Sequence, residues 1–200
     1  MQLIVSPPSP YARKARVVLR ELNLMDTVQE LDVTTSPVDP SPAALASNPT
    51  GRIPSLIRGD GPALYDSRVI TRFLNDLGNG TLYPDAHWDV LTLEATGDAI
   101  MDSAVGMVYE QRLRPAAQQS DTWLDAQWGK VMGAVTALET RWMPLLTGPL
   151  HMGQISVACA LTYLDLRHDD RGWRAQHTTL ADWVDQFATR DSMVATHPNL

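Results

Sequence analysis

Strand signals in this 200-residue chain are confined to its first 77 positions, and that asymmetry constrains the fold more than any other feature. Residues 3–5, "LIV", read as a short buried strand. Residues 10–24 follow a helical period, with Tyr11, Ala15, Val18, Leu19 and Leu22 on one face and Arg13, Lys14, Arg16 and Arg20 mostly off it. Residues 28–33, "VQELDV", alternate as a half-buried strand, and residues 42–47 fit one short helix in a Pro- and Ser-rich loop. "IPSLI" (53–57) and "ALY" (63–65) flank the turn Arg58-Gly-Asp-Gly-Pro62, which predicts a β-hairpin. Val69, Ile70, Phe73, Leu74 and Leu77 give a second helical stripe. The order βαβ-α-ββα requires a parallel first pair with a right-handed crossover and an antiparallel pair at the end. A four-stranded mixed sheet covered by helices is the compact solution.

After the linker at 78–87 the pattern turns helical throughout. Apolar periodicity covers residues 88–113, 121–146, 155–168 and 178–189, and all six tryptophans lie in this part. The expected organisation is an α/β domain at 1–77 and an all-α domain at 88–200.

Charge narrows the partners. The formal net charge is −7 and there is no basic tract, so a nucleic-acid partner is not expected, because phosphate neutralisation supplies most non-specific affinity. No apolar run approaches the roughly 18 to 20 residues that span a bilayer. The start "MQLIVSPPSP" lacks the basic n-region and apolar core of a signal peptide, so a cytoplasmic location without membrane attachment is expected. Cys159 is the single cysteine, which rules out an intrachain disulfide. The five histidines form no His-x-x-x-His pair, and no metal site is expected.

Several residues stand where local structure changes. Pro10 fits the first turn of the first helix, which makes Ser9 its N-cap. Ser67 precedes the second stripe and reads as another cap. Pro54 starts a strand, where proline is usually an edge or turn residue. Asp98 and Asp102 lie one helical turn apart, a like-charge pair that costs an isolated helix a few tenths of a kcal/mol. Either a solvated face or a cationic partner accounts for them.

Four segments, in order, resemble a known family. "SPPSPYARKARVVLRE", "NPTGRIPSL" (48–56), "LYDSRVITRFL" (64–74) and "GQISVACALTYLDLR" (153–167) are similar to the first loop and helix, the N-P-x-G-x-V-P-x-L segment, the [ED]-S-x-x-I-x-x-Y-L segment and the central C-terminal helix of cytosolic glutathione transferases of a short bacterial type. The resemblance spans essentially the whole chain. It implies a thioredoxin-like first domain, an all-α second domain, glutathione as co-substrate and a homodimer. It also implies a cis Ile53–Pro54 bond that exposes the backbone of Ile53 to glutathione. Asp66 and Ser67 would take the γ-glutamyl group, Arg52 the glycyl carboxylate, and Asp98 the ammonium.

By the same resemblance, Ser9 aligns with the residue that donates a hydrogen bond to the glutathione sulfur. Ser6 and Tyr11 remain alternatives, in that order. Tyr11, Met101, Val105 and Tyr109 are the expected wall of the electrophile pocket, with Met107 as a further candidate. Serine replaces cysteine at position 9, which disfavours mixed-disulfide chemistry. The implied reaction is thiolate attack on a small hydrophobic electrophile or a peroxide, the chemistry of detoxification. Two other functions fit the same fold. One is a non-catalytic scaffold for protein partners; the other is a glutathione-dependent isomerase or β-etherase. The family's central helix starts S/T-x-x-D, whereas Ser156 is followed at the third position by Cys159. That departure predicts a weaker helix start.

Overall fold

The structure is a computed structural model that describes residues 1–84 and 88–198. Residues 85–87 of the expected linker lie outside the described residues. The chain forms two units: the N-terminal segment together with the stretch from Arg190 onward, and the helices up to Thr189.

In the N-terminal unit the elements are β1 (Gln2–Val5), α1 (Pro10–Glu21), β2 (Gln29–Asp32), α2 (Pro42–Ser47), β3 (Ser55–Ile57) and α3 (Ser67–Leu77). The sheet order is β2-β1-β3. β1 pairs parallel with β2, Gln2 opposite Gln29, and antiparallel with β3, Ile4 opposite Ser55. Leu3, Ile4, Val5, Val18, Leu19, Leu56, Ile70 and Leu74 are fully buried and form the core between sheet and helices. The expected fourth strand shrinks to one bridge, Leu56 to Leu64. Pro62 offers no amide to a ladder, and the chain turns into α3 directly after Tyr65. Residues after α3 are fastened back onto it: Asn75 Oδ1 accepts from the Leu82 amide at 2.9 Å, and Thr71 Oγ1 lies 2.8 Å from the Tyr83 hydroxyl.

Two basic residues of α1 that lie off its apolar stripe are nonetheless covered. Arg13 and Lys14 are both buried. Arg13 is covered by the C-terminal segment, which contains α9 (Asp191–Val194): its Nε donates to Thr196 Oγ1 at 3.4 Å and its Nη2 to the Met193 carbonyl at 3.1 Å. At the other end of α1, Glu21 accepts two parallel bonds from Arg190, at 2.9 and 2.8 Å, and one from the Ser192 hydroxyl. The arginine holds the Glu21 carboxyl below the usual carboxylate range against the opposing effect of burial.

The second unit contains α4 (Trp88–Leu113), α5 (Asp121–Ala137), α6 (Met143–Leu146), α7 (Met152–His168) and α8 (Thr178–Ala188). α4 and α7 run side by side in the same direction. Gly97 sets their approach, because a Cβ there would sit 2.5 Å from Ser156 Oγ and 2.7 Å from the Ser156 carbonyl carbon. His168 Nε2 lies 2.9 Å from the Ala104 carbonyl further along. The helix expected over 121–146 is instead interrupted by a π-helical turn, Leu138–Trp142. Pro144 cannot donate to a preceding carbonyl, and the wider turn absorbs the mismatch. Glu139 in that turn caps α8: its Oε1 accepts from the amides of Thr179 and Leu180, and its Oε2 lies 2.8 Å from His177 Nδ1.

The weak start expected for the central helix is corrected. α7 begins at Met152, not near Ser156, and carries a full capping box: His151 Nδ1 accepts from the Gln154 amide, and Gln154 Oε1 accepts from the His151 amide. Ser156 is interior and donates to the Glu94 carbonyl at 3.0 Å and to Asp98 Oδ1 at 3.3 Å. The architecture is a thioredoxin-like α/β unit with an all-α unit.

Candidate active site

Three separate stretches of the N-terminal unit meet at one end of its sheet. The first follows β1. Val5 ends the strand, Ser6 follows, and the Ser9 amide donates to the Ser6 carbonyl at 3.0 Å. Ser9 then caps α1, its Oγ accepting from the Ala12 amide at 3.2 Å, with Pro10 in the first turn. That bond uses a lone pair and leaves the hydroxyl proton, which has no acceptor among the described residues. Ser9 and Ser6 are both half-buried. The hydroxyl therefore sits at the positive end of a 12-residue helix with a proton to give.

The second stretch is residues 48–54. Its conformation is built by Asn48, a buried side chain. Asn48 Oδ1 accepts from the amide and hydroxyl of Thr50, and its Nδ2 donates to the Arg52 carbonyl at 2.9 Å. Gly51 takes φ of +66°, a left-handed conformation that suits glycine. The loop thus delivers Ile53 to a fixed position, and the Ile53–Pro54 bond is cis, as the resemblance implies. The Ile53 amide and carbonyl have no hydrogen-bond partner among the described residues. Continuing the β1–β3 register outward from Ile4–Ser55 sets Ser6 opposite Ile53.

The third stretch enters α3. Continuing the Leu56–Leu64 bridge in antiparallel register sets Asp66 opposite Pro54. The Tyr65–Asp66 bond is also cis. The cap reading moves by one residue: Asp66, not Ser67, is the N-cap, its Oδ1 accepting from the Arg68 amide at 3.0 Å. Ser67 is the first helical residue. It is buried, and neither its amide nor its hydroxyl has a partner among the described residues. A free amide and hydroxyl at a helix start favour a bound anion. Asp66 is exposed and retains a second carboxylate oxygen for a cation. Arg52 is exposed beside this site.

The N-terminal unit therefore brings Ser6, Ser9, Ile53, Pro54, Asp66 and Ser67 to one sheet end. Tyr11 is half-buried in the first turn of α1. The remaining candidates lie on α4 in the other unit. Asp98 is buried and accepts from Ser156, so the solvated-face reading does not hold for it; Asp102 is exposed. Met101 and Met107 are fully buried, Val105 is half-buried, and Tyr109 is 43% exposed. Cys159 is buried. Among the described residues no group of three or more His, Cys, Asp or Glu side chains is placed to hold a metal ion, and no helix is long and apolar enough to cross a membrane.

Sequence reasoning missed Asn48 and the pair Ser47–Ser55, whose hydroxyl oxygens lie 2.6 Å apart beneath the loop. The Asn-Pro-x-Gly run carried a turn signal that pointed to Asn48. Nothing local in the sequence pairs the two serines.

Known proteins match along this layout. The family model described as glutathione S-transferase, N-terminal domain, covers residues 8–77, and that described as glutathione S-transferase, C-terminal domain, covers residues 121–186. The uncharacterized GST-like protein YibF of Escherichia coli K12 is 30% identical, over 99% of this chain and 98% of that protein. A glutathione transferase family member from Pseudomonas fluorescens Pf-5, solved with bound glutathione, is 40% identical with a TM-score of 0.96 over 100% of this chain and 99% of its own. A second structure of a family member from that organism, with bound S-(propanoic acid)-glutathione, is 39% identical with a TM-score of 0.91 over 100% of both chains. By these matches and by its two units, the chain belongs to the glutathione S-transferase family.

Proposed function

We propose that the chain is a glutathione transferase that binds glutathione at the sheet end of its N-terminal unit and activates its thiol for attack on an electrophile. The observation that carries this reading is the Ser9 hydroxyl, which caps α1 and keeps a proton to donate, at the same sheet end as the open backbone of Ile53 and the start of α3. Ile53 would pair with the cysteinyl backbone of glutathione as an added strand does. Ser67 would hold the γ-glutamyl carboxylate and Asp66 its ammonium, with Arg52 near the glycyl carboxylate; Asp98, which the resemblance also offered for the ammonium, is buried against Ser156. A free thiol has a pKa of about 8.5 and reacts as the thiolate. The Ser9 hydrogen bond and the helix dipole both favour the anion. Ser9 stabilises the nucleophile and does not become one; Ser6 is the alternative donor.

In the reaction the sulfur–carbon bond forms, the leaving group departs with the bonding pair, and the thiol proton goes to solvent. The Pseudomonas relative solved with S-(propanoic acid)-glutathione supports this over disulfide chemistry, because that ligand is a thioether. On the N-terminal unit, Tyr11 is the proposed contact for the electrophile. The chain acts in the cytoplasm as a homodimer.

The test is calorimetric titration of glutathione into wild type and Ser9→Ala, with thiolate absorbance followed against pH. Equal binding with a raised thiol pKa in the variant is the expected result. No binding by wild type at millimolar glutathione overturns the reading in favour of a protein-binding scaffold.

A further inference from the structure

Asn48 does more than the turn it sits in requires. An asparagine that starts such a turn needs only its side-chain oxygen, which here accepts from the amide of Thr50 at 3.0 Å and from its hydroxyl at 2.9 Å. The side-chain nitrogen is committed as well: Nδ2 donates to the Arg52 carbonyl at 2.9 Å. That carbonyl belongs to the same peptide unit as the Ile53 amide. The cis bonds among the described residues are Ile53–Pro54 and Tyr65–Asp66, so the Arg52–Ile53 unit is trans and planar, and its C=O and N–H point in opposite directions. Asn48 is buried. Drawing the carbonyl onto a buried side chain therefore turns the Ile53 N–H outward, where it has no partner among the described residues. A hydrogen bond at the carbonyl also polarises the peptide unit and strengthens its N–H as a donor.

The ends of this loop are pinned independently. Ser47 Oγ donates its one proton to the Ala43 carbonyl at 2.8 Å, so in the 2.6 Å contact between the two serines the Ser55 hydroxyl is the donor. Ser47 ends α2, and Ser55, fully buried, begins β3 directly after Pro54. With both ends held, the freedom left to residues 48–54 is rotation of the peptide planes between them. Asn48 takes that freedom from the one plane that carries the open N–H.

We propose that Asn48 is a positioning residue for glutathione, aiming the Ile53 N–H at the ligand's backbone. This rests on the transferase reading and adds to it a side chain that touches no ligand. Asn48 acts on affinity; the state of the thiol belongs to Ser9.

The experiment uses glutathione as the probe, with calorimetry for affinity, thiolate absorbance against pH, and NMR of the Ile53 amide. Asn48→Asp keeps the oxygen that serves Thr50 and sets a second oxygen against the Arg52 carbonyl. Its Kd for glutathione should rise roughly three- to tenfold, the range for one hydrogen bond. The ligand-induced shift of the Ile53 amide proton should shrink, and the thiol pKa of bound glutathione should keep its wild-type value. Thr50→Val, at an exposed position, loosens Asn48 without opening the core, and should give a smaller rise in Kd that Thr50→Ser reverses. The Thr50 pair decides the matter if Asn48→Asp does not fold. A merely structural Asn48 would lower the melting temperature and leave affinity and the Ile53 shift of the folded variant unchanged. That result, or equal affinity in wild type and Thr50→Val, overturns the proposal, while wild-type binding keeps the transferase reading. Failure of wild type to bind glutathione removes both.

Discussion

Ser9 carries a helix cap and a candidate thiol donor on one oxygen, and the two roles separate by substitution. Ser9→Ala removes both. It should cost about 1 kcal/mol of stability and also raise the thiol pKa of bound glutathione. Ser9→Asp keeps the cap, since aspartate caps as well as serine, but sets a negative charge beside the sulfur. Thermal unfolding of Ser9→Asp should match wild type while glutathione-conjugating activity collapses; equal loss in both measurements would leave Ser9 only a cap. His168 gives a pH-dependent prediction. Its burial lowers its pKa, against the hydrogen bond to the Ala104 carbonyl, and the neutral ring donates from Nε2. The unfolded chain therefore binds the proton more readily than the folded one. Stability from this site is full above about pH 6.5, the ordinary histidine value, and is lost as pH falls toward the depressed folded value. Melting curves between neutral and mildly acid pH should show this slope, and His168→Gln should flatten it.

At the scale of elements, the crossing of α4 and α7 depends on one missing methyl. Gly97→Ala would press its Cβ into both the side chain and the backbone of Ser156. Because backbone is involved, trimming Ser156 does not relieve the clash. Denaturant unfolding of Gly97→Ala should show a loss of about 1–3 kcal/mol, and the double variant with Ser156→Ala should recover none of it. Full recovery would mean that the helices can part without cost. The elements were also where the sequence was most legible. Periodicity and prolines found α1, α2, α3 and α4 and the strands β1 to β3, because each has a local signature. The start of α7 was misread because its cap is a histidine, a residue whose capping use depends on a ring orientation set by the fold. The break after α5 was misread because apolar periodicity ran straight through Pro144. In the candidate site, Ser9 and Pro54 were legible from local punctuation. The convergence of Ser6, Ile53 and Asp66 was not, because strand register is a long-range property.

At the scale of the whole molecule, the N-terminal unit is closed by the far end of the chain. Arg190, Ser192, Met193 and Thr196 bind Glu21 and Arg13 at the two ends of α1. A chain cut after Thr189 should lose glutathione affinity and melt its N-terminal unit ahead of the helical one, as read by proteolysis within α1; a single coincident transition would count against this. Glu21 adds an acid-side dependence. Its folded pKa is depressed, so its contribution is present above the ordinary carboxylate value and is lost as pH falls through the depressed one. Glu21→Gln should remove that acid sensitivity.

The same closure bears on how the protein is made. Domains generally fold as units in the order of synthesis, first part first. Here the first part cannot be finished first. Its helix α1 waits, with Arg13 and Glu21 unclasped, until ribosomes have translated the entire helical unit and then the segment from Arg190. A nascent chain stalled before that point presents an unclasped N-terminal unit to chaperones and proteases.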